Sequence, residues 1–136
     1  MTTNLLDTIH PDLAEEDLPA LLTTFYATIA HDPLLAPYFA IVDMREHIPR
    51  IADFWSTMLF HTARYSGNAF RPHLAMPGLT PEHFAHWLAT LEQTIDHRWH
   101  GPIADRMKDL GHRVAWSMQL RLGLTPETPY TIAPSQ

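Results

Sequence analysis

The sequence contains no cysteine. Disulfides, thiolate metal sites and cysteine nucleophiles are therefore excluded. Glycine is scarce, at 5 residues in 136, and none belongs to a glycine-rich loop able to cradle phosphate. No serine sits in a nucleophile-elbow setting. Basic residues are also few. The 9 Lys and Arg stand against 15 Asp and Glu, a formal net charge of −6 with neutral histidines. With no basic run to neutralise phosphates, nucleic acid is not an expected partner. No apolar run reaches the length of a membrane span. The start, MTTNLLDTIHPD, has neither the basic region nor the apolar block of a signal peptide, so the expected location is the cytoplasm and no membrane partner is expected. Nothing alternates with a period of two over a useful length, which leaves no strand to predict.

What is present is proline and histidine, 12 and 10 residues, in a chain that is 46% hydrophobic. The length suits one domain with a real core. Prolines punctuate it into helices. Asp17-Leu18-Pro19 reads as a cap and early proline, followed by Leu18, Leu21, Leu22, Phe25, Tyr26 and Ile29 at helical spacing. The connector DPLLAPYF carries Tyr38 and Phe39. Asp43 is a candidate cap for a second helix with Met44, His47, Ile48, Ile51, Phe54, Trp55, Met58 and Leu59 on its apolar face, fading near His61 or Tyr65. Thr80-Pro81-Glu82 is the clearest helix start, and Phe84, Trp87, Leu88, Leu91, Ile95 and Trp99 mark its buried face. Gly101-Pro102 breaks it. The last helix carries Ile103, Met107, Leu110, Val114, Met118 and Leu122, with Gly123 as its stop. The chain is thus all-α with four long helices. Residues 1–16 form an N-terminal extension, 17–123 the domain, and 124–136 a proline-rich tail expected to drape loosely.

Polar groups that interrupt apolar faces are the informative ones. Tyr26, His47 and Trp87 bring an O–H, an imidazole and an indole N–H to the inward faces of three helices, where each needs a hydrogen-bond partner. A satisfied core is the plain reading of any one of them. His73 is set apart from the other histidines by its short perch between Pro72 and Pro77. Metal spacing offers a competing pattern: His83 and His86, and His97 and His100, are each three apart on a helix. His83 and His86 are expected on the solvent side, no HExxH occurs, and no Glu-plus-His set repeats on two helices as a di-iron bundle requires.

The segments FYATIAHDPLLAPYF, HIPRIADFWSTMLF, RYSG and HLAMPGLTPEHFAHWL, followed by a long last helix, resemble the group III truncated haemoglobins from Asp17 to about Gly123. The resemblance implies a truncated globin, a two-over-two helical sandwich enclosing haem b. It implies that His73 ligates the iron, that Tyr26, His47 and Trp87 form the distal pocket, and that Ile51 lies over the iron. Phe39 is implied to pack on the haem ring, with Phe54 and Trp55 near the pocket and Met76 among the haem-binding residues. Arg64, Tyr65 and Arg71 fall where the family places groups near the haem edge and propionates. Pro72 and Trp116 do not belong to the pattern.

The function this implies is binding of oxygen, nitric oxide or another small diatomic ligand. A haem held by one imidazole takes its reactivity from the polarity of the opposite side. Each pocket donor contributes on the order of 1–1.5 kcal/mol, so two slow ligand release by roughly a hundredfold. That suits nitric oxide dioxygenase-like or peroxidase-like chemistry, with an unidentified reductase, better than transport. A non-catalytic binding or sensing globin is one alternative, and a non-haem helical metal-binding protein another. The expected state is a monomer or weak dimer.

Overall fold

A computed structural model describes residues 10–40, 42–67, 76 and 78–126. Its helices are α1 (Leu18–Ile29), α2 (Ala36–Phe39), α3 (Met44–Phe60), α4 (Pro81–Arg98) and α5 (Pro102–Arg121), preceded by a 3-10 turn at Glu15–Asp17. No strand occurs among the described residues, and none of their helices is long and apolar enough to cross a membrane. α1 packs on α3 and on α4, α4 packs on α5, and α5 reaches α3. The four long helices therefore form two pairs, one laid over the other.

The reason lies in α1. Leu18, Leu21, Leu22, Phe25 and Ile29 are almost wholly buried. They occupy both i,i+3 and i,i+4 steps, which widens the apolar stripe enough to touch two neighbours at once. Burying each such side chain contributes about 1.5–3 kcal/mol. Around them gather Trp55 and Leu59 of α3, Leu91 and Ile95 of α4 and Met107 of α5. A second, smaller cluster holds Phe84, Ala115 and Met118. Trp87 packs against both.

Helix ends follow local chemistry. Asp43 caps α3, its carboxylate accepting from the Arg45 N–H at 3.0 Å. α3 closes at His61, which adopts a left-handed conformation (φ 58°). α5 starts differently. Its N-cap, Gly101, has no side chain to offer, and Asp12 supplies the carboxylate from far along the chain. Asp12 accepts from the N–H groups of Ile103 and Ala104, both at 3.0 Å, and of Leu13 at 2.8 Å. A Cβ at Gly101 would stand 2.6 Å from the Asp12 Cγ, and its φ is 148°, so both contact and conformation demand glycine. Leu13 is buried and Pro11 O accepts from the His100 N–H. The chain from Pro11 onward is thus packed into the body, ahead of Asp17, where the sequence reading begins the domain. α5 ends in a Schellman motif, with Leu124 N–H donating to Gln119 O (2.8 Å), Gly123 N–H to Leu120 O (3.1 Å) and Gly123 at φ 76°.

Two expectations need correction. Asp17 does not cap α1. Its own backbone is already helical, and its carboxylate turns back to accept from the Ala14 N–H, closing the 3-10 turn. His83 is buried, not on the solvent side. On α5 the fully buried residues are Ala104, Met107, Gly111, Ala115, Met118 and Gln119, while Ile103, Leu110, Val114 and Leu122 pack half-buried against the core. Close approach of α4 explains the small ones: a Cβ at Gly111 would lie 2.8 Å from Leu91 Cδ2, so small residues line the contact.

Candidate functional site

Tyr26 reaches the end of α1 nearest α2 and the start of α3. Its hydroxyl lies 3.1 Å from Nε2 of His47 on α3. The two rings meet edge-to-face, with centroids 5.0 Å apart. Phe39 of α2 completes the group, 5.5 Å from Tyr26 and 6.3 Å from His47. Phe25 stands on the other side, edge-on to Tyr26 at 4.9 Å and to Trp87 at 6.0 Å. Trp87 on α4 thus joins Tyr26 and His47 through Phe25. Burial pushes the Tyr26 hydroxyl well above the usual phenol range, so it keeps its proton and remains a donor at any ordinary pH.

The Tyr26–His47 bond has two forms. With the imidazole proton on Nε2, His47 donates to the Tyr26 oxygen, and the phenolic O–H is left to point elsewhere. With the proton on Nδ1, Tyr26 donates to Nε2. His47 thereby governs where the tyrosine's one proton is aimed.

α3 presents an unusual surface beside this group. No residue from Met44 to Phe54 is fully buried, although Ile48, Ile51, Ala52 and Phe54 all pack against the core. His47, Ile51 and Phe54 follow at i, i+4 and i+7 along one face. A large flat apolar group covering that face, with polar donors at its end, fits these residues. Haem is such a group, and in this arrangement Phe39, Ile51 and Phe54 would hold its ring while Tyr26, His47 and Trp87 faced the ligand side.

The remaining residues singled out in the sequence are placed as follows. Phe54 is edge-on to Trp55 and to Tyr65, both at 5.4 Å. Trp55 is buried in the main core. The backbone N–H of Tyr65 donates to Thr57 Oγ1 at 3.0 Å. Arg64 forms an ion pair with Glu15, which also accepts from the buried Ser56 hydroxyl. Met76 is half-buried. Arg71 and His73 lie outside the described residues, as do residues 127–136 of the tail.

Of the two histidine pairs, one has both Nδ1 atoms engaged. His83 Nδ1 is occupied by Thr80 (3.0 Å to its N–H), and His86 Nδ1 by Asp32 at 2.8 Å. Among the described residues no group of three or more His, Asp or Glu converges as metal ligands would. A groove of about 250 Å³ lies elsewhere, between α1 and the end of α4, lined by Thr24, Thr28, Thr94 and Arg98 among others. It includes His97 but none of Tyr26, Phe39, His47, Ile51, Phe54 or Trp87.

Sequence reasoning missed two polar features. Ser56 sits mid-helix beside Trp55, where nothing in its neighbours signals a carboxylate arriving from Glu15. Asp12 lies in a stretch without periodicity. A third, Thr80-x-x-His83, was legible as capping-box spacing with histidine in place of the usual glutamate or glutamine.

The fold matches the crystal structure of a group III truncated haemoglobin from Campylobacter jejuni, with a TM-score of 0.74 at 23% identity, over 81% of this chain and 91% of that one. In sequence, the group 3 truncated hemoglobin ctb of Campylobacter jejuni is 28% identical over 88 residues, 60% of this chain and 69% of the relative. The chain has the truncated globin fold. Its likeness is to group III. No family model matches it.

Proposed function

We propose that this chain holds haem b against the half-buried face of α3, with His73 as iron ligand, and binds oxygen, nitric oxide or another small diatomic ligand beside Tyr26. Haem supplies ligand binding and redox chemistry at its iron. The chain supplies everything that discriminates between outcomes. Phe39, Ile51 and Phe54 exclude water from the ring face. Tyr26 and Trp87 offer an O–H and an N–H to a ligand that gathers negative charge, in surroundings where such bonds count for more than in water. His47 sets the direction of the Tyr26 proton.

The observation that carries this reading is the Tyr26–His47 hydrogen bond inside a ring of aromatics, at the edge of an apolar helix face that the core leaves partly uncovered. Two donors favour retention and reaction over transport, in line with oxygen-dependent nitric oxide or peroxide chemistry fed by an external reductase.

Stopped-flow displacement of oxygen from the ferrous protein tests the pocket. Losing one donor removes about 1–1.5 kcal/mol, so Tyr26→Phe and Trp87→Phe should each raise the dissociation rate about five- to tenfold. Unchanged rates in both variants would refute the polar-pocket reading.

A further inference from the structure

We propose that His83 is a positioning residue of the haem site, a buried neutral imidazole that locks Thr80, the junction between the segment bearing His73 and helix α4. The proposal rests on the haem reading above and adds to it a residue outside the pocket.

Thr80 is where the chain changes state. It is extended (φ −124°, ψ 166°), and α4 begins at the next residue, Pro81. His73 lies seven positions earlier. Thr80 is the residue at which the chain coming from that segment enters helix α4.

His83 holds Thr80. The Thr80 backbone N–H donates to His83 Nδ1 at 3.0 Å, and Thr80 Oγ1 lies 2.8 Å from the same nitrogen. A nitrogen that accepts from an N–H carries no proton, so the proton of this imidazole is on Nε2 and the ring is neutral. In the other direction, the backbone N–H of His83 donates to Thr80 O at 3.0 Å. Thr80 is thus held from both its N–H and its carbonyl.

The choice of histidine has a physical reason. Glutamate or glutamine usually fills this place in a capping box. His83 is only 9% exposed, and a carboxylate there would be desolvated at considerable cost. Imidazole offers the same acceptor without charge, on a side chain with fewer torsions to freeze. It also offers a ring face. Tyr38 of α2 stands edge-on to it, centroids 5.3 Å apart at 88°. Tyr38 Oη lies 3.5 Å from where a Cβ on Gly78 would stand, and Gly78 itself is left-handed at φ 76°. The residue after Tyr38 is Phe39, which packs on Tyr26 and His47. His83 therefore links the junction at Thr80 to the helix that carries an aromatic wall of the pocket.

The test uses the full-length chain loaded with haem. His83→Leu keeps bulk and removes the acceptor, while His83→Gln restores an acceptor at the same capping position. Three quantities are measured: haem transfer to a scavenger apoglobin, the iron–imidazole stretching band of the ferrous protein, and urea unfolding of the haem-free chain. The expected result is that His83→Leu loses haem about fivefold faster, the equivalent of one hydrogen bond, and moves the stretching band. His83→Gln should stay within about twofold of the parent, well inside the cost of one bond, with an unmoved band. A His83→Leu protein that is less stable without haem, yet has the parent's band and haem-loss rate, would reduce His83 to a helix cap and overturn the proposal. Failure of His83→Gln to restore either reading would overturn it too. A parent chain that takes up no haem is a separate result: it removes the haem reading and this proposal with it.

Discussion

Gln119 concentrates a stability question in a single side chain. It is 5% exposed, and its Nε2 donates to Ala115 O at 3.1 Å. Its Oε1 is buried with no hydrogen-bond partner among the described residues. A buried acceptor left unmade costs about 1–3 kcal/mol, more than the neutral bond on the other side of the amide returns. Gln119→Met, close in volume and free of polar atoms, should therefore stabilise the haem-free chain by about 1 kcal/mol, visible as a higher urea midpoint. A fall in the midpoint would mean that the amide oxygen is satisfied in solution. Tyr26 shows the contrasting case. It is as deeply placed, but its hydroxyl has His47, and burial only ensures that its proton stays on. Gln119 was not legible in the sequence, because a polar residue at that position reads as solvent-facing. Tyr26 and His47 were, because each interrupts a stripe whose other members are plainly apolar.

Helix starts show how the fold is held between elements. α5 depends on Asp12, a residue 89 positions before Gly101, which supplies the cap that glycine lacks. Replacing such a cap costs about 0.5–2 kcal/mol, and Asp12→Ala should lower the urea midpoint accordingly. Gly101→Ala should cost more, at least about 1–3 kcal/mol of backbone strain, because the new Cβ also collides with Asp12. If Asp12→Ala proves neutral, the long-range cap is not a source of stability. The same elements show what patterning conveys. α1 and α3 were readable because large apolar residues define their faces, and the start of α4 because Thr80-Pro81-Glu82 combines three local signals. On α5 the large apolar residues were readable, but the buried Ala104, Gly111 and Ala115 were not. Small residues that permit close approach leave little trace in a pattern that weighs size. Asp17 was misread as a cap because Asp before a helix has two uses, and here it closes the preceding turn.

Over the whole molecule, the acid side of the stability curve should carry the mark of three carboxylates. Burial alone raises Asp12, but the N–H groups of Ile103, Ala104 and Leu13 outweigh it and hold the carboxyl below its usual range. Burial likewise raises Asp32, and the bonds from His86 and from the Leu34 and Leu35 N–H groups overturn that. The Ser56 hydroxyl and Arg64 lower Glu15. Each is lower in the folded state than in the unfolded chain. The stability they contribute is therefore complete above the unfolded carboxylate values, about 4, and is lost as the pH falls through the lower folded ones. Urea midpoints should decline below about pH 4, and Asp12→Asn with Asp32→Asn should flatten the decline. An equally steep decline in that double variant would assign acid sensitivity elsewhere.

The central claim is that the half-buried face of α3 and the Tyr26–His47–Phe39 group receive haem through an iron bond to His73. Titration of the purified haem-free chain with haemin, followed by reduction, tests it most directly. The account predicts a saturable one-to-one complex with an intense Soret band, and a ferrous spectrum of an imidazole-ligated haem that is lost in His73→Ala. A chain that remains colourless through the titration, or a His73→Ala protein with an unchanged spectrum, would contradict it.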